Sequence, residues 1–264
     1  MLPSPEVTEI TLYAEWVEAS MPTTITVNVP EVTPAPYDTF EYEINEENTY
    51  VSRRLKDKEI TVVYRQSAPE ATTISLGDGT EETPAVVDND VRASHQYSAA
   101  GEYEIQVEKR LGFGEVQIMF GRTQENRAVN PSPYITDVDF AFDITTTNLH
   151  AFRETKITNL KLTPYMTAIA DGAFAATREI TELTIPEGIT SIGYVSFQEC
   201  TKLTKVNFPS TLTMIGSEAF KACSKLKDIL SLEHTKLREV NDDAFIDCTS
   251  IDKVILPETL VRLG

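Results

Sequence analysis

One aromatic position recurs through the second half of the chain and limits what that half can fold into. Ala173-Phe174, Ser196-Phe197, Ala219-Phe220 and Ala244-Phe245 follow one another at Phe-to-Phe steps of 23, 23 and 25 residues. Three residues after each Phe stand Thr177, Cys200, Cys223 and Cys248. Upstream runs an apolar-x-x-apolar-x-apolar stretch (Ile157–Leu162, Ile180–Ile185, Leu203–Phe208, Ile251–Leu256), with Leu226–Ile229 a looser copy. Between that stretch and the Phe lies a spaced apolar pair: Met166/Ile169, Ile189/Ile192, Leu212/Ile215, Leu237/Val240 and Leu260/Leu263. A fixed period of this length specifies a solenoid, because one unit cannot bury its own apolar side and must stack on a neighbour. Each Phe and each thiol is therefore expected to lie over its predecessor in a shared interior.

A chain of 264 residues is long enough for two domains. Its 41 acidic and 23 basic residues leave a net charge of −18, which repels a phosphate backbone and an anionic membrane surface alike. Nucleic acid is thereby excluded as an expected partner. No run reaches the roughly 18 apolar residues that span a bilayer, so membrane insertion by this segment is not expected. The first residues lack the basic-then-apolar pattern of a secretory signal, so either the chain does not leave by that route or it begins after the signal. Leu260-x-x-Leu263-Gly264 matches only the first half of a layer, so the last layer is expected to be incomplete. The 3 cysteines share one repeat position, which is neither a disulfide framework nor a zinc spacing, and they read as unpaired core thiols.

The first half carries a different pattern, period-two apolar runs bounded by turn residues. Thr24–Val29, Phe40–Ile44 and Glu59–Tyr64 each read as a strand of an antiparallel sandwich. Pro30–Pro36 reads as a stiff turn or connector. An earlier stretch, Thr11-Leu12-Tyr13-Ala14-Glu15-Trp16, resembles the closing strand of a Listeria–Bacteroides repeat, and reads equally as the first strand of the next domain. Gly77-Asp78-Gly79-Thr80 followed by His95-Gln-Tyr97 and Gly101-Glu-Tyr103-Glu-Ile105-Gln-Val107 resembles the polycystic kidney disease (PKD) domain. That resemblance implies an immunoglobulin-like β-sandwich over residues 20–110, with Leu76 where the family usually carries an aromatic residue. The repeat resembles the BspA type of leucine-rich repeat, on Ile185-Pro186, Phe208-Pro209 and Leu256-Pro257 with Ile192-Gly193 and Ile215-Gly216. The expected organisation is a strand remnant or linker (1–19), the sandwich (20–110), a junction (111–134) and the solenoid (135–264). Glu115–Phe120 in the junction is open to pairing with either neighbour. A degenerate first layer placing Phe152 at the Phe position is expected to act as a cap, and the layer at 226–250, two residues longer, to carry a bulge. The fold class is mainly β throughout.

Catalytic and metal constellations are not legible in this sequence. His95, His150 and His234 have no ligand at metal-like spacing, and a Cys–His pair would need a thiol from the periodic core, where thiols are inert. Asp78 reads as a turn carboxylate bonding its own backbone. No catalytic residue and no cofactor is expected. What remains is the outward face of the repeat strands. Two columns are expected there: Asp137, Asn159, Glu182, Lys205, Asp228 and Lys253, then Asp139, Lys161, Thr184, Asn207, Leu230 and Ile255. From Asn159 and Lys161 onward, these ten are the candidate binding residues. The columns read either as a solvated face or as a partner site, with Leu230 and Ile255 its apolar spot. The two resemblances imply a non-catalytic, extracellular bacterial surface protein binding a protein or glycan on a host or neighbouring cell. The alternatives are a structural or receptor-binding component of a phage virion, or the accessory region of a larger secreted hydrolase.

Overall fold

Ile25, Val27 and Val29 are buried while Thr24, Thr26 and Asn28 face outward, so β1 (Thr23–Val29) is a strand with one apolar face. The computed structural model describes residues 23–29, 40–44, 50–54, 59–66, 73–84, 86–87, 90–107, 116–119, 135–140 and 152–264. The readings of residues 8–17, of the proline-rich run and of His150 lie outside these residues. After β1 come β2 (Phe40–Ile44), β3 (Tyr50–Arg54), β4 (Glu59–Gln66), β5 (Ile74–Ser75) and β6 (Glu81–Glu82). Then follow β7 (Val86–Val87), β8 (Asp90–Gln96), β9 (Gly101–Val107) and β10 (Val116–Met119). One antiparallel sheet runs β10-β4-β8-β7, which places Val116–Met119 with the N-terminal strands rather than with the solenoid. No helix occurs among the described residues.

The solenoid strands are β11 (Ile135–Asp139), β12 (Asn159–Lys161), β13 (Ala168–Ile169), β14 (Glu182–Thr184), β15 (Ser191–Ile192) and β16 (Lys205–Asn207). They continue as β17 (Met214–Ile215), β18 (Asp228–Ser231), β19 (Glu239–Val240), β20 (Ile251–Ile255) and β21 (Arg262–Leu263). Parallel pairs β11–β12, β14–β16 and β18–β20 build one side of the coil, and the ladder β13-β15-β17-β19-β21 builds a second. The third side is the Phe-bearing turn. Each Phe amide donates to the next layer: Phe152 to Ala173, Phe174 to Ser196, Phe197 to Ala219 and Phe220 to Ala244. The rings stack accordingly, with centroids 5.5, 5.4, 5.3 and 5.3 Å apart from Phe152 through Phe245 and interplanar angles of 3–11°. Phe152 thus joins the column, and Phe140 meets it edge-on at 5.4 Å.

The turns that carry the Phe are bent the same way in each layer. Residues two before and two after it are left-handed, as in Val195 (φ 47°) and Glu199 (φ 58°) around Phe197. Side chains there cost about 1 kcal/mol each relative to glycine, a strain held by the ladders on either side. The thiol position closes the turn. Cys200, Cys223 and Cys248 are free, and their sulfurs donate to the carbonyls of Phe174, Phe197 and Phe220 at 3.4, 3.2 and 3.1 Å. Thr177, in the equivalent place, donates its hydroxyl to Phe152 O at 3.2 Å. The repeated position therefore selects a small donor rather than sulfur as such.

Sequence alone did not foresee how the two halves meet. β1 pairs with β9 on one side and antiparallel with β11 on the other, so one sheet runs β12-β11-β1-β9-β5-β6 across the two regions. Leu160, Val138, Ile25 and Ile105 oppose one another across β12, β11, β1 and β9. One buried apolar cluster accordingly extends from Ile25 to Ala244. The first solenoid strand is covered by a strand from the far end of the chain, which settles its edge hydrogen bonds.

Candidate functional site: the strand face of the solenoid

In the regular layers the outward columns form as expected. Asp137 pairs with Asn159 and Asp139 with Lys161; Glu182 pairs with Lys205 and Thr184 with Asn207. Asn159, Lys161, Glu182, Thr184, Lys205 and Asn207 are all exposed. Several bond up the column: Asn159 Nδ2 to Asp137 Oδ1, Lys161 Nζ to Asp139 Oδ2 at 2.7 Å, and Asn207 Nδ2 to Thr184 Oγ1 at 3.0 Å. Exposed pairs of this kind contribute about 0–1 kcal/mol each, so they order the surface more than they hold the fold. Beside them runs a threonine row in which Thr158 donates to Thr136 O and Thr204 to Thr181 O at 3.4 and 2.9 Å.

The irregular layer corrects the expected columns. A bulge between Asp228 and Ile229 sets Ile229 opposite Lys253 and Ser231 opposite Ile255. Leu232 N then donates to Ile255 O as Ile185 N donates to Asn207 O, so Leu230 occupies the inward place that Leu183 holds in its own layer. Leu230 is 5% exposed and belongs to the core. Ser231, opposite Ile255, takes the half-exposed place expected of Leu230, because a slip of one residue exchanges inside for outside. Lys253 is exposed and Ile255 half-buried, and the exposed apolar side chain of that strand is Val254. The side chain of Asp228 lies outside the described residues.

The strand ladder is interrupted twice, since β12 shares no pairing with β14, nor β16 with β18. A concavity of about 550 Å³ sits at each gap. The first lies where the two regions meet, lined by Thr24 and Thr26 of β1 with Asp137, Asn159, Lys161, Glu182 and Thr184. The second is lined by Lys205, Asn207, Phe208, Lys227, Leu230 and His234, among others. Seven of the ten candidate residues thus line one cleft or the other, and Asp228, Lys253 and Ile255 line neither. The clefts themselves were not legible, because nothing local in the sequence marks where a ladder breaks.

Chemistry elsewhere is structural. The Asp78 carboxyl accepts from Thr80 N at 3.0 Å and lies 2.7 Å from His95 Nε2. Burial raises its pKa, but the bonds from His95 and Thr80 outweigh that and hold it below the usual range. Tyr97 OH donates to Leu76 O at 2.9 Å, and its ring stacks on Tyr103 at 4.0 Å. Burial, with Asp78 nearby, pushes the Tyr97 phenol well up. The neighbouring thiol of Cys200 and then burial raise Cys223, and the thiol of Cys223 with burial raises Cys248, so both resist forming thiolate. His234 Nε2 donates to Phe208 O at 2.8 Å rather than meeting a sulfur. Among the described residues no group of three or more His, Cys, Asp or Glu converges on one point.

The stacked layers, their parallel ladders and their shared Phe column find a match among known families. The family described as BspA type leucine-rich repeat region matches residues 134–264 in 6 copies. Residues 134–264 are a BspA-type leucine-rich repeat region. A T. pallidum leucine-rich repeat protein of known structure (TpLRR) is similar to this chain at 22% identity, with 59% of this chain aligned to 76% of that one and a TM-score of 0.43. A leucine-rich repeat protein from Bacteroides ovatus is similar at 21% identity, covering 58% of this chain and 51% of that one, with a TM-score of 0.35. No curated protein matches the chain. The BspA-type region carries the strand face and the two clefts described above, and no enzymatic family is indicated.

Proposed function

We propose that this chain is a non-catalytic recognition segment of a bacterial surface protein, binding a protein or glycan partner through the strand face of its BspA-type repeats. Proteins with such repeats are surface proteins of bacteria, which supports the setting. The observation that carries the reading is the face itself: exposed Asn159, Glu182, Thr184, Lys205 and Asn207 stand in register on rigid ladders, around two clefts. Side chains held on such ladders lose little freedom on binding, which is what a recognition surface needs. We further propose that the N-terminal strands are a PKD-like sandwich. The bonds that tie Asp78 to His95 and Tyr97 to Leu76 support this, since they join the two motifs that carry the resemblance. In this reading, β1 fixes the solenoid rigidly to that module.

The test is binding of the full chain to glycan arrays and to panels of extracellular-matrix proteins, beside a variant carrying Asn159→Ala, Glu182→Lys and Asn207→Ala. Loss of the captured partner with an unchanged melting temperature is expected. Equal binding by the variant would overturn the assignment to this face.

A further inference from the structure

Every strand pairing of β1 is with a distant part of the chain. Thr23–Val29 oppose β9 and Thr24–Val27 oppose β11, whereas the next strands, β2 and β3, pair with each other in a separate sheet. Closing a loop of n residues costs about (3/2)RT ln n. Across the roughly 70 residues to β9 and 100 to β11, β1 therefore meets its partners about a hundredfold less often than a strand joined through a four-residue hairpin. Short tethers hold their ends at millimolar effective concentration, which puts β1 on the order of 10 µM, a level that a second copy of the chain can match. The sequence leaving Val29 carries Pro30, Pro34 and Pro36 before Phe40, a composition that stiffens and extends a connector and so suits a strand that reaches outward.

We propose that β1 is exchanged between two copies of the chain, each inserting Thr23–Val29 between β9 and β11 of the other. The ladder bonds and the burial of Ile25, Val27 and Val29 are the same in the exchanged pair, so exchange requires no surface that the single chain lacks. The consequence falls on a candidate site. Thr24 and Thr26 line the first cleft beside Asp137, Asn159 and Glu182, so each cleft of the exchanged pair is built from two chains. Such a pair also carries two strand faces on one particle, which raises avidity for a repeated partner. The exchange goes beyond the strand-face reading and does not depend on it.

The experiment uses two full chains of different tag length, one carrying Thr24→Cys and the other Asp139→Cys. These positions oppose each other in register and are both half-exposed. Cys248→Thr is present in both chains and removes the half-buried native thiol. The chains are unfolded together, refolded at about 1 and about 50 µM, either side of the effective concentration above, and oxidised with glutathione disulfide. A disulfide-linked dimer of mixed size is expected on a non-reducing gel, at least roughly fivefold more abundant at the higher concentration. Asn28→Cys in place of Thr24→Cys is the control, because Asn28 is exposed and opposes Glu102 of β9 rather than β11. Light scattering of the unmodified chain, refolded the same way, should show a dimer that grows with concentration. Absence of the mixed dimer, an equal yield from the Asn28 control, or an unmodified chain that stays monomeric up to about 100 µM overturns the proposal. None of these readouts involves a binding partner, so their failure leaves the strand-face reading standing.

Discussion

Phe197→Ala removes the middle ring of the column and tests how the layers cohere. The ring is fully buried and stacks on Phe174 at 5.4 Å and on Phe220 at 5.3 Å. Truncating a buried Phe costs about 3–5 kcal/mol from lost transfer energy and the cavity left behind. Two stacked ring contacts disappear with it, which places this site toward the upper end of that range. Phe245 is half-buried, with Phe220 as its stacking partner among the described residues, so Phe245→Ala should cost about half as much. Against a total stability of roughly 5–15 kcal/mol, the first change is large and the second tolerable. Urea unfolding followed by circular dichroism reads both. A Phe197→Ala cost below about 1 kcal/mol, or one no larger than that of Phe245→Ala, would refute the continuous column.

Cys223→Thr should change stability by less than about 1 kcal/mol, because Thr177 already shows a hydroxyl serving this position; urea titration checks it. In the native chain Cys200 and Cys223 should react with a thiol reagent at pH 8 far more slowly than after unfolding, and rapid native labelling would contradict their burial. The depressed pKa of Asp78 means its stabilisation is present above the unfolded value and is lost as pH falls through the lower folded value, below roughly pH 4. Asp78→Asn should therefore melt lower at pH 7 and show a smaller further loss on acidification, read from melting temperatures across pH. Ala222→Gly, at φ 58°, should stabilise the protein by about 0.5–1 kcal/mol, since glycine adopts that conformation without strain.

What the sequence made legible were features repeated in register. The Phe, thiol and apolar-pair positions each recur once per layer, so one misjudged residue is outvoted by its equivalents. The outward columns follow from the same alternation through Asn207. They fail at Leu230 because a bulge is a single-layer event, and one residue of slip turns a face inward. The pairing of Thr24 with Asp139 was illegible for a different reason. Its partners lie more than a hundred residues apart, and the alternation of β1 says that it pairs without saying with what. The clefts inherit both blind spots, since each is a place where a ladder stops.

Amide hydrogen exchange resolved to single residues tests the central claim most directly. The amides of Phe152, Phe174, Phe197 and Phe220, each donating to the next layer, should exchange together with those of β1 that pair with β9 and β11, at one shared opening free energy. Phe amides that exchange at loop rates, or a β1 that opens independently of the repeats, would contradict a solenoid stacked in register and capped by β1.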